Sequence, residues 1–104
     1  MEEMIVVYIT NPSKEKAKEL AKHLLKKRII ACANIFQSNS IYWWDGEISD
    51  ESEYILVAKT VEENFAALRH EVLEFHEYQV PCIIKFPVTA NQQFVQWVRS
   101  EIRL

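Results

Sequence analysis

His76-Glu77-Tyr78-Gln79-Val80-Pro81-Cys82 places an imidazole, a phenol and a thiol in one short stretch of connecting chain. Pro81 restricts Val80 to extended backbone, so the connection should be stiff and its polar groups held in place. Imidazole and thiolate donors suit copper and zinc far better than magnesium or calcium. Together with Cys32, the run supplies a soft metal-ligand set of Cys32, His76 and Cys82, each near the end of an expected strand. The spacing of His76 and Cys82 is neither the short gap of a zinc knuckle nor the helical pair of a metallopeptidase, so folding must bring the set together. Plainer roles compete. Cys32 between Ala31 and Ala33 reads as a small buried hydrophobe. His76 reads as a helix C-terminal residue bonding the last carbonyls.

Lys59 offers a second chemistry. It stands at a strand end just before a capped helix, where an ammonium group and free N–H donors could hold a small anion. Tyr78 would add a phenolic hydrogen bond, and Trp43, within Tyr42-Trp43-Trp44, would serve as a wall of the same cleft. An ion pair for Lys59 and interface packing for the aromatics are the alternatives. His23 and His70 fall in helical stretches without ligand spacing and read as surface residues. Enzymatic motifs are missing: one glycine leaves no Gly-rich phosphate loop, and no nucleophile stands in a series with His and carboxylate.

The chain has 104 residues, 49% hydrophobic and 26% charged, which bounds it to one globular domain spanning residues 1–104. Its apolar runs are too short to cross a bilayer as a helix. Met1-Glu2-Glu3 is acidic where a secretory signal begins basic, and two cysteines are too few for a disulfide framework, so a cytoplasmic location with free thiols is expected. A formal charge of −3 supplies no positive field for nucleic acid or an anionic membrane. The cluster Lys22, Lys26, Lys27, Arg28 reads as cations favoured by a helix C-terminus.

Hydrophobic periodicity gives the elements that must position these groups. Met4 to Thr10 is a β-branched strand, and Asn11-Pro12-Ser13 stops it and caps a helix whose inner face is Ala17, Leu20, Ala21, Leu24 and Leu25. Lys14, Lys18, Lys22 and Lys26 line another face of the same helix. Ile29 to Trp44 is extended, with a bend or bulge expected at Gln37-Ser38-Asn39-Ser40. Asp45-Gly46 marks a hairpin turn, and the return strand is best defined from Tyr54 to Thr60, set off from the turn by the acidic stretch Ser49 to Glu53. Thr60 and Glu63 form a capping box for a helix with the stripe Val61, Phe65, Leu68, Val72 and Phe75. Cys82 to Pro87 is the last strand, and Asn91 caps a final helix carrying Phe94, Val95, Val98 and Ile102.

The fold class is therefore α+β: a ferredoxin-like βαββαβ order with a C-terminal helix, and an antiparallel sheet with helices on one face. The same order occurs in RNA-recognition modules, whose basic, glycine-containing aromatic strand is missing here. Alternation makes both faces of the first strand apolar, Met4, Val6 and Tyr8 against Ile5, Val7 and Ile9, so the second face needs a cover and a homo-oligomer is expected. The aromatic hairpin end supports that expectation.

Ala31-Cys32-Ala33-Asn34-Ile35, Tyr42-Trp43-Trp44 with Gly46, Lys59-Thr60, His76 with Tyr78 and Pro81, and Trp97 together resemble the CutA family of divalent-cation tolerance proteins, across nearly the whole chain. The resemblance implies a homotrimer similar to the PII signalling proteins, with sheets facing one another and extended hairpins pairing across subunits. It implies a role in tolerance of copper and other divalent metals, with polar residues gathered in clefts between subunits. A PII-like sensor that binds a small anion in those clefts and signals to a partner protein is the alternative. Glu77 stands where the family often has Pro, Gln79 where an acidic residue is common, and Cys82 where an acidic or small residue is more frequent, so the resemblance does not carry the Cys82 thiol.

Overall fold

Pairing of Glu2 and Glu3 with Ala90 and Thr89, and of Asn11 with Tyr54, carries the first strand slightly beyond its β-branched stretch: β1 runs Glu2–Asn11 in the computed structural model, which describes residues 1–104. Pro12 ends it. The Ser13 hydroxyl then accepts from the Lys16 backbone N–H at 3.1 Å, capping α1 (Lys14–Lys26) as its position predicts. Ala17, Leu20, Ala21 and Leu24 are buried, whereas Leu25 stands at the exposed margin of the stripe. The helix leaves through Arg28 in the left-handed region at φ 60°, a position that favours glycine. Arg28 keeps a compensating contact there, its guanidinium 2.9 Å from the Glu101 carboxylate.

Two long strands follow, β2 (Cys32–Trp44) and β3 (Glu47–Thr60). Asp45 and Gly46, at φ 51° and 79°, make the tight turn between them. The bend expected at Gln37–Ser40 does not form. Those residues pair in unbroken register with β3, Ser38 opposite Glu53 and Ser40 opposite Glu51, and the supposed acidic spacer Ser49–Glu53 is part of the strand. The polar side chains bond across the ladder rather than to their own backbone: Gln37 Nε2 donates to Ser52 Oγ at 2.8 Å and Asn39 Nδ2 to Asp50 Oδ1 at 2.8 Å.

The capping box is also not made. Thr60 Oγ1 instead donates to the Ile29 carbonyl at 2.6 Å, and Asn64 Nδ2 donates to the same oxygen at 3.0 Å. A buried carbonyl outside any ladder must find donors, and it takes the hydroxyl that would have capped the helix. A 3-10 turn, Glu62–Asn64, therefore precedes α2 (Phe65–Phe75), and Glu63 turns outward to Arg99 at 3.1 Å. After β4 (Ile83–Ala90), α3 (Gln92–Glu101) begins without a side-chain bond from Asn91, whose backbone carbonyl accepts from Val95 instead.

The sheet has the order β2-β3-β1-β4, antiparallel throughout, the ferredoxin-like α+β arrangement. Ile5, Val7 and Ile9 bury one face under α1 and α2, packed with Leu20, Leu24, Leu56, Leu68 and Val72. The alternate residue Met4 joins Val61, Val95, Val98 and Ile102, with Val6 and Val88 packed alongside, so α3 covers one end of the opposite face. The rest of that face stays open, and Phe36, Ile84 and Phe86 are 49%, 43% and 47% exposed.

β3 pairs with β1 only from Tyr54 to Thr60, so residues 38–53 form a two-stranded arm beyond the sheet. The arm stretches the molecule to 45 Å on its long axis, with a radius of gyration of 14.3 Å. A compact chain of this length would measure about 13 Å.

His23, expected at the surface, joins the two helices. Its Nε2 lies 2.7 Å from Glu71 Oε1, its ring stacks on Phe75 at a centroid separation of 5.6 Å, and Lys27 Nζ reaches the same carboxylate at 2.9 Å. The bonds from Lys27 and then His23 hold the Glu71 carboxyl below its ordinary value of 4.5. A carboxyl lowered in the folded state stabilises it fully above the unfolded value, and that contribution fades as pH falls through the folded one. Urea denaturation is expected to show stability dropping below pH 4.5, with a shallower drop in Glu71→Gln.

Candidate binding cleft beside the long hairpin

His76 ends α2 at the point where β1 also ends. Its backbone N–H closes the helix on the Val72 carbonyl at 2.8 Å, and its ring reaches across to β1. Nε2 lies 2.6 Å from the Thr10 carbonyl, which can only accept, so Nε2 carries the proton and donates. Nδ1 then accepts from the Tyr78 backbone N–H at 3.1 Å. Both ring nitrogens are committed to backbone partners, and in this arrangement neither has a lone pair to offer a metal. The helix-end role expected for His76 is met by a strand carbonyl rather than by the last carbonyls of its own helix.

Tyr78, fixed by that bond and lying against the His76 ring at 4.7 Å, donates its hydroxyl to Glu53 Oε2 at 2.6 Å. Glu53 is 6% exposed. Burial, and then the Glu53 carboxylate, push the Tyr78 phenol far above its ordinary value, so it stays a donor. Two residues earlier on the same face, Glu51 accepts from the Tyr42 hydroxyl at 3.3 Å. The connection is thus tied at Thr10, at Glu53 and, through Glu77 to Lys16 at 3.0 Å, at α1. Between it and the arm lies an open cleft of about 590 Å³, walled by Tyr8, Tyr42, Trp43, Trp44 and Tyr78, with Cys82 and Glu53 also facing it.

The expected site residues divide between the two ends of the molecule. Trp43, Tyr78 and Cys82 share the cleft, and His76 braces it. Cys32 and Lys59 pair with each other across β2 and β3, opposite Val6 of β1, about 13 Å along the strand from Thr10. Lys59 Nζ sits 5.6 Å over the Phe94 ring and belongs to no ion pair. Within one subunit, no three His, Cys, Asp or Glu side chains stand close enough to hold a metal. Burial raises both thiols, partly offset at Cys32 by Lys59 and reinforced at Cys82 by Glu53, so each favours the protonated form.

Glu53 is the residue that reading the sequence missed. Taking Ser49 to Glu53 as a spacer hid the alternation Glu51, Glu53, Ile55, which puts a carboxylate on the same face as a buried isoleucine. That alternation was the available signal.

The family model for CutA1 divalent ion tolerance protein matches residues 5–101. The chain belongs to the CutA family. The divalent-cation tolerance protein CutA of Archaeoglobus fulgidus is 42% identical over 97 residues, covering 92% of this chain and 95% of its own. The crystal structure of CutA1 from Pyrococcus horikoshii superposes with a TM-score of 0.94 at 38% identity, covering 97% of this chain and 100% of that one. The PII-like protein CutA from Nostoc sp. PCC 7120, in its apo form, gives 0.91 at 27% identity, over 97% and 99% of the two chains. The CutA fold thus persists while identity falls.

Proposed function

We propose that this CutA-family chain works as a cytoplasmic homotrimer in the response to divalent metal ions, binding copper or another divalent ion at sites that assembly completes. The observation that carries the reading is the unsupported arm. A two-stranded hairpin alone in water is marginal. Here it presents Ile41, Trp43 and Ile48 at 65%, 73% and 63% exposure, next to an open apolar sheet face. Neighbouring copies supply the missing cover. The same packing can bring Cys32 and Lys59 of one subunit towards Cys82, Tyr78 and Trp43 of the next, which no single subunit does. Two unpaired thiols suit a reducing compartment.

Calorimetric titration of the assembled protein with Cu(II) and Zn(II) tests the metal reading. Because both thiols are raised, binding that uses them requires proton release, so affinity is expected to increase from pH 6 to pH 8. Cys32→Ser and Cys82→Ser should each weaken binding about tenfold or more. No heat with either metal at any pH sinks direct binding. His76 contributes as a ligand only by giving up one of its two bonds.

A second reading, a small anion held at the subunit boundary, is favoured by the unpaired Lys59 ammonium and by the likeness to a PII-like protein. In that case ATP or phosphate binds in the same titration and Lys59→Ala abolishes the signal.

A further inference from the structure

We infer that Glu53 of one subunit forms an ion pair with Lys59 of the partner subunit, and that this pair sets the register in which Cys32 is brought to the cleft holding Cys82. The inference rests on the assembly proposed above and on neither of its ligands.

Each group lacks a counter-charge in its own chain. Glu53 is 6% exposed, yet it forms no ion pair with any Lys, Arg or His. Tyr78 gives it one neutral hydrogen bond, to Oε2, and the other oxygen makes none within the chain. A carboxylate buried to that degree is ordinarily compensated by a cation. Lys59 is partly buried and equally unmatched, its Nζ resting 5.6 Å over the Phe94 ring.

The two cannot meet within one subunit. Leu56 and Ala58 pack under α1 and α2, so alternation puts Glu53, Ile55, Val57 and Lys59 together on the opposite face of β3. Six residues of strand then separate the two charges by about 20 Å, too far for their side chains to touch. A closed ring of identical subunits joins two different patches of the chain at every boundary. Here one patch holds the unmatched anion, with the Glu51 carboxylate beside it on the same strand face, and the other holds the unmatched cation. The other unpaired Lys and Arg side chains are placed less well. The lysine row of α1 and Arg69 of α2 stand on the helical side of the sheet, and Arg103 lies at the chain end beside Arg28.

Cys32 faces Lys59 across β2 and β3. Seating Lys59 against Glu53 therefore carries Cys32 towards Cys82, which shares the Glu53 cleft. Charge pairing across a boundary fixes register and excludes wrong dockings more than it adds affinity. A lysine engaged in this way is not free to hold the small anion of the second reading.

A double-mutant cycle on the intact protein tests the pair. The parent, Glu53→Gln, Lys59→Gln and the double variant are unfolded in urea at several protein concentrations, with sedimentation velocity reporting assembly. Glu53→Gln keeps an oxygen to accept from Tyr78. Each single change is expected to lower the assembly constant about tenfold or more per boundary, and the double variant to lose no more than the worse single. Sites about 20 Å apart in one chain give additive losses, so coupling reports contact across the boundary. Charge exchange is a second readout: Glu53→Lys should dissociate the protein, and adding Lys59→Glu should restore assembly. Should Glu53→Lys fail to fold, the neutral cycle still decides. Additive losses in a protein that assembles overturn the pair and leave assembly standing. So does either single variant that assembles like its parent; if only Lys59→Gln does so, the counter-charge is another cation. A parent that sediments as a monomer, with urea midpoints independent of concentration, overturns the assembly and the pair together.

Discussion

Phe86→Asp is expected to convert the proposed trimer into monomers at micromolar concentration. Phe86 lies on β4 opposite Val6 and points to the sheet face away from α1 and α2. Ile84 shares that face on β4, and Phe36 shares it on β2. Half of each side chain is already shielded by its own subunit, so a partner's contribution is the burial of the remainder. Replacing the ring with a carboxylate removes about 2 kcal/mol of apolar burial at each boundary and adds the cost of desolvating a charge. A closed ring of subunits repeats the loss at every boundary, so the effect on assembly multiplies. Sedimentation velocity checks it, with Lys18→Asp on the outer side of α1 as the control that leaves assembly unchanged. A Phe86→Asp protein that sediments like its parent moves the interface off this face. In the monomer the arm has lost its cover, and amide exchange across residues 38–53 should quicken.

How much of this was legible in the chain depends on whether a feature is set by local pattern or by competition for a partner. The strands, the three helices and the Asp45-Gly46 turn follow from periodicity and from residues that tolerate positive φ, and their order dictates the ferredoxin-like sheet. The misreadings share one cause. Gln37 and Asn39 are expected in a bend because they interrupt an apolar pattern, and Thr60 in a cap because Glu63 follows it. Each found a distant partner instead: Ser52, Asp50 and the Ile29 carbonyl. Such partners are chosen by the folded register, which no local window contains. The site shows the same division. His76 and Tyr78 stood out by type, but the Thr10 carbonyl and Glu53 that define their roles come from β1 and β3. The separation of Cys32 and Lys59 from the cleft follows from strand register alone.

His76→Ala is expected to cost about 2–4 kcal/mol of stability, because it leaves both the Thr10 carbonyl and the Tyr78 N–H without partners and removes a ring packed at 4.7 Å. Asparagine and glutamine divide the effect. In His76→Asn the side-chain oxygen is placed to accept from Tyr78 N–H while Thr10 is abandoned. In His76→Gln the amide can reach Thr10 while Tyr78 is abandoned. Each should lose roughly half as much in urea denaturation, within the usual spread for one hydrogen bond. The loss also travels into the cleft: Tyr78 is held at its backbone by His76 and at its hydroxyl by Glu53, so releasing the first loosens the second. The alanine variant should therefore bind ligands of the cleft more weakly even though its ring nitrogens face the backbone. A ligand role for His76 makes the opposite forecast, with metal affinity lost and stability nearly unchanged, because a ring free to bind metal cannot at the same time hold Thr10 and Tyr78. Measuring both quantities on one variant separates a brace from a ligand.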